Sequence, residues 1–208
     1  MLDKTREWVQ TSRMQTLGLS DSTTRTESRL KSLFWPSIQS GADVDYLAVQ
    51  GYWVCTFVGV VSLIFLALAR QPITGTLVLL LFHLGGVGVR EHNPFAAAII
   101  LVYYVFDFLA SLLLLFATSP GIGVLRIIII ALLLSNLRAT WIAAGWKPDS
   151  EEAALPPRLG ETLFDKLADK WPAFIWPKVK AVYYVYSFGF LALTVAGLIL
   201  MFLRRGHF

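Results

Sequence analysis

The stretch FAAAIILVYYVFDFLASLLLLFAT, residues 95–118, carries one charged side chain, Asp107, in 24 positions. About 20 predominantly apolar residues in helical form cross the ~30 Å hydrocarbon core of a bilayer. Within lipid a chain has to satisfy its own backbone N–H and C=O groups, and an α-helix does so inside one segment. The stretch therefore reads as a transmembrane helix. Asn93-Pro94 precedes it and Ser119-Pro120-Gly121 follows it, and both are turn-forming combinations.

Four more apolar runs lie outward from it, giving expected spans at 51–69, 73–89, 95–118, 122–145 and 181–203. In the first, Gly51, Cys55, Gly59 and Ser62 recur at intervals of four, four and three. Such a stripe of small residues lets a second helix approach closely. The second run is short, about 17 residues, which is the lower limit for a span. It contains His83, Gly85, Gly86 and Gly88, so irregular last turns or a re-entrant segment are the alternatives to a full crossing. In the fourth, Ala131, Ser135, Ala139 and Ala143 form another small stripe, and in the fifth Gly189, Ala192, Ala196 and Gly197 offer a further contact surface.

Composition agrees with lipid as the solvent. The 208 residues are 56% hydrophobic and 15% charged, whereas soluble domains hold about 25% charged residues. The expected class is an all-α polytopic integral membrane protein with five transmembrane helices and one or two interfacial amphipathic helices. Residues 1–46 form the N-terminal segment, 47–203 the membrane domain with a loop at 146–180, and 204–208 a tail. Residues 29–36 mix Arg29 and Lys31 with Phe34 and Trp35, which suits the headgroup boundary. In the long loop, Leu163, Phe164, Leu167 and Trp171 share one helical face, the pattern of an interfacial helix. No apolar core of signal-peptide length precedes Gln50, so the first span is expected to serve as an uncleaved insertion signal.

The net charge of +4 has a membrane cause rather than a nucleic-acid one. With five spans, fourteen of the 18 Lys and Arg residues fall on the side of the N-terminus, the 90–94 turn and the long loop, and four on the other. The positive-inside bias makes the first side cytoplasmic and leaves the C-terminus outside. Short turns and the lack of targeting features suggest a bacterial plasma membrane. The partners expected are the bilayer and other membrane subunits or the chain itself.

Ionisable groups at membrane depth are costly and face protein or water. Asp107 stands about 12 residues into its span, with Tyr103 and Tyr104 one turn away as hydroxyl donors and Ala110 and Ser111 one turn beyond. It is a candidate proton or cation site, with Arg138 as the counter-charge to consider. The alternative is a hydrogen-bonded structural acid. His83 is the second intramembrane candidate and the one residue placed to ligate haem or chlorophyll, although no ligand spacing supports it. Arg90, Glu91, His92, Asn136 and Arg138 make a candidate polar cluster near the cytoplasmic side. None of these has the spacing of a metal site, and the lone Cys55 supplies neither a disulfide nor a cysteine metal centre.

Phosphate-binding loops, nucleophile elbows and internal repeats are missing from the sequence. The leading expectation is a non-catalytic accessory or structural subunit of a membrane complex. The alternatives are a small oligomeric proton or cation channel or transporter using Asp107, and a membrane enzyme or cofactor-binding protein with a site near the cytoplasmic interface.

Overall fold

The structure, a computed structural model, describes residues 31, 34–38, 41–114, 120–145 and 163–205. Five α-helices make up nearly all of them: α1 (Gly41–Leu68), α2 (Pro72–Arg90), α3 (Pro94–Leu114), α4 (Pro120–Gly145) and α5 (Leu163–Arg205). Each contains a segment long and apolar enough to cross a membrane. The described chain is therefore all-α and polytopic. Most of the N-terminal segment, including nearly all of its expected interfacial helix, lies outside the described residues, as do 146–162 and the tail from 206.

The first two helices end in the same way. After α1, Arg70 adopts a positive φ of 59°. Its N–H donates to the Ala67 carbonyl at 3.0 Å, and the Gln71 N–H reaches back to Leu66 O at 2.7 Å. After α2, His92 takes φ 52°, with His92 N–H to Val89 O at 3.0 Å and Asn93 N–H to Gly88 O at 2.9 Å. This pairing is a Schellman closure, which satisfies carbonyls that a helix end leaves open. A proline follows each left-handed residue by two positions and opens the next helix, where its missing N–H costs nothing. Asn93 Oδ1 then accepts from Ala96 N–H at 3.0 Å and caps α3.

α2 is the hub of the bundle. It packs most extensively on α1 and also meets α3 and α5, while α1–α4 and α4–α3 contacts close a ring of four helices. The stripe on α1 does what its spacing predicts. A Cβ added at Gly86 of α2 would lie 2.8 Å from Cys55 Cβ and 3.2 Å from the Tyr52 carbonyl, and one at Gly59 would lie 3.2 Å from Leu79 Cα. Backbones that approach this closely gain dispersion contacts along their whole length, which lipid tails do not replace.

The second span is, as expected, long and apolar enough to cross a membrane, and it is one uninterrupted helix of 19 residues rather than the re-entrant alternative. Its glycines keep helical geometry because neighbours fill the space their side chains leave: Ile100 and Tyr183 at Gly85, Cys55 at Gly86, Ala96 and Trp176 at Gly88. One expectation changes: the segment 163–180, expected as loop with an interfacial helix at Leu163, Phe164, Leu167 and Trp171, is continuous with the fifth span in α5, which runs for 43 residues through Pro172 and Pro177. Neighbouring helices make proline tolerable in such segments. The face that α5 buries there is Ala168, Pro172, Trp176 and Tyr183, whereas Leu167 and Trp171 of the expected apolar stripe are exposed. On its far half, Gly189 and Gly197 have open space around them and Ala192 and Ala196 are exposed.

Candidate functional site

The expected site residues fall in three places. The first is on α3 and α4. Along α3, Ile100 and Tyr104 are buried, and Asp107 and Ser111 continue that same helical face. Asp107 pairs with Arg126 of α4, Nη1 to Oδ2 at 3.2 Å, and the same nitrogen donates to Ser111 Oγ at 2.9 Å. Ser111 Oγ in turn donates to the Asp107 carbonyl at 2.8 Å. Among the described residues the cover over this face thins at the pair, where the Asp107 side chain is 54% exposed and that of Arg126 27%.

This corrects two expectations. The counter-charge of Asp107 is Arg126, not Arg138. Counted from Ser119, Asp107 lies 12 residues back and Arg126 seven forward, an axial offset of about 7.5 Å against about 10 Å for Arg138. Arg138 is held elsewhere, its Nη1 donating to Pro36 O at 2.9 Å and its guanidinium stacked 4.9 Å from the Trp35 ring centroid. The tyrosines do not serve Asp107 as hydrogen-bond donors either. Tyr103 lies against Phe82 and Phe190, with centroids at 5.8 and 5.5 Å, and Tyr104 is buried against Phe82.

The second place is His83, between α1, α2 and α5. Its Nδ1 is 3.2 Å from Thr56 Oγ1, and its Nε2 is 3.3 Å from the indole Nε1 of Trp171. An indole nitrogen only donates, so Nε2 accepts, and Nδ1 carries the proton toward Thr56. Both ring nitrogens are thus engaged by protein groups, and a haem or chlorophyll metal would have to displace one of them. Trp171 was read from its spacing as part of an interfacial stripe, and its role as the donor to His83 was not visible there.

The third place is the end of the bundle at the 90–94 turn. Arg90 forms an ion pair with Asp45 of α1, and its Nε donates to Ala168 O of α5 at 3.1 Å. One side chain therefore ties three helices together. Glu91 and His92 follow it, half-buried. Burial raises the Glu91 carboxyl, opposed by the Arg90 charge. Burial and Arg90 lower the His92 imidazole, opposed by Asp45. Asn93 Oδ1 accepts from Tyr184 Oη–H at 2.9 Å. Asn136, expected in the same cluster, instead packs on Gly51 of α1, where an added Cβ would stand 2.9 Å from its Cγ.

Arg90, Asn136 and Arg138 thus each hold their own partners: Asp45 with the Ala168 carbonyl, the Gly51 backbone, and Pro36 with Trp35. Among the described residues, no group of three His, Cys, Asp or Glu side chains could hold a metal ion. Asp45, Trp171 and Arg126 are the partners that sequence reasoning missed. The signal for Arg126 was available, as the cation nearest Asp107 across the turn. No family model, no curated protein and no solved structure matches this chain.

Proposed function

We propose that this chain is a non-catalytic subunit of a membrane protein assembly, docked to another membrane-embedded segment where the α3–α4 face is uncovered. The observation that carries this reading is the Asp107–Arg126 pair, exposed in part on a face that is buried one turn earlier. Charged side chains at such depth are stable against protein or water, and costly against acyl chains. A helix laid over this face would complete the burial that Ile100 and Tyr104 begin. In this reading the N-terminus and the 90–94 turn are cytoplasmic, the C-terminus is outside, and the host is a bacterial plasma membrane. The Lys and Arg asymmetry supports the orientation.

Photocrosslinking in native membranes tests it. A benzophenone side chain at Ala110 or Leu125, beside the pair, is expected to capture protein. One at Val182 or Val185, exposed on α5, is expected to capture lipid. Lipid adducts alone from all four positions reject the assembly reading. The exposed Asp107 also favours a second reading, a proton or cation path between chains. Proteoliposome flux that is present in the native protein and lost in Asp107→Asn supports that path.

A further inference from the structure

We propose that the partner on the uncovered α3–α4 face is a second copy of this chain, related by a two-fold axis; this rests on reading that face as a docking surface. The patch presents one carboxylate and one guanidinium side by side. In a two-fold contact, residue i of one copy meets residue j of the other and the reverse, so an Asp–Arg patch is its own complement. A patch of a single sign would instead require a different, oppositely charged partner.

The hydrogen-bonding capacity left over supports the same arrangement. A guanidinium has five N–H donors and an ionised carboxylate two acceptor oxygens. Among the described residues, both hydrogen bonds of Arg126 come from Nη1, and Asp107 accepts from it through Oδ2. Nε and Nη2 of Arg126 and Oδ1 of Asp107 remain for a partner. Across the axis, Oδ1 of each copy accepts from the remaining arginine nitrogens of the other, which makes two equivalent charge-assisted contacts. Gly123 lies one turn from Arg126 with nothing within 4 Å, so the backbone of α4 is open to close approach there.

The test uses the full chain in lipid nanodiscs and in native membranes. Single-molecule subunit counting in nanodiscs is expected to give dimers. The dissociation constant is expected to rise about ten- to a hundredfold in Asp107→Asn or Arg126→Gln, since two interhelical polar contacts are lost at once. Exchanging the charges, Asp107→Arg with Arg126→Asp, is expected to restore dimers, and that recovery separates a lost contact from a misfolded variant. In a Cys55→Ala background, single cysteines at Ala110 and Leu125 are expected to form disulfide dimers in native membranes, and one at Val185 is not. A monomer in nanodiscs whose Ala110 and Leu125 positions crosslink to a different protein overturns self-pairing and leaves the docking reading standing. A monomer that captures only lipid at those positions overturns both.

Discussion

Gly86 of α2 lies so close to Cys55 of α1 that a methyl group on the glycine would stand 2.8 Å from the cysteine Cβ. The Tyr52 carbonyl, at 3.2 Å, closes the other side. Neither neighbour is the far end of a flexible chain, so the two helices have to separate if a side chain is added. Gly86→Leu is therefore expected to lower stability by about 2–3 kcal/mol, at the upper end of overpacking costs. Unfolding of the detergent-solubilised protein measures this. Gly145→Ala, at a position with nothing within 4 Å, is the matched control and is expected to change little.

The Arg90–Asp45 ion pair is more enclosed than the Asp107–Arg126 pair, its side chains 12% and 20% exposed against 27% for Arg126 and 54% for Asp107. Removing one partner leaves the other charge short of solvent, so Arg90→Met or Asp45→Asn is expected to cost about 3 kcal/mol. Arg90→Met also frees the Ala168 carbonyl. The double variant should recover part of the loss, because neither member of the enclosed pair is then charged. Equal and additive losses in a double-mutant cycle would show that the pair contributes through packing alone.

The parts of the fold that depend on apolar length were legible from residues alone. Five spans, their turns at Gln71-Pro72 and Asn93-Pro94, and the contact stripe on α1 follow from hydropathy, proline and small-residue spacing. The continuity of α5 from Leu163 into the fifth span was not legible, because Pro172, Pro177 and the four lysines of 163–180 set the expected interfacial helix apart from the span until α2 is there to pack against. The pairing of Asp107 was misread for a different reason. Periodicity places a residue on a face, but it does not say which of two arginines across a turn is already held by something else. Arg138 is held by Trp35 and Pro36, 102 residues away from the latter in sequence. No local pattern encodes that contact.

The turn between α2 and α3 should make stability depend on pH. His92 titrates below the ordinary histidine value of 6.5, through burial and the Arg90 charge. As pH falls through about 6.5 the unfolded chain takes up a proton before the folded one, so stability drops until the lowered folded value is passed. Glu91 acts in the opposite sense. Its carboxyl is raised by burial from 4.5, so the folded chain binds a proton first and stability is regained in more acid solution. His92→Gln is expected to flatten the decline in unfolding midpoint between pH 7 and 5.5. A wild-type slope in that variant would remove His92 from the account.

His83 offers a sharper spectroscopic test, since its tautomer follows from its two neighbours. Trp171 has only a donor to give, so the imidazole accepts at Nε2 and is neutral with its proton on Nδ1. Nitrogen-15 spectra of histidine-labelled protein should therefore show a protonated Nδ1 and an unprotonated Nε2 for His83. In His83→Phe the indole N–H of Trp171 loses its acceptor, and its resonance, identified by its absence in Trp171→Phe, should move toward lower frequency. The stability cost should be modest, about 0.5–1.5 kcal/mol, as for one hydrogen bond between helices. Acid strong enough to protonate His83 makes both ring nitrogens donors and must break the same contact, so the Trp171 resonance should shift together with the histidine titration. A Trp171 signal that ignores both the substitution and the titration would mean that α5 is tied to α2 by Arg90 and the aromatic face of Trp176 and Tyr183, with His83 a bystander.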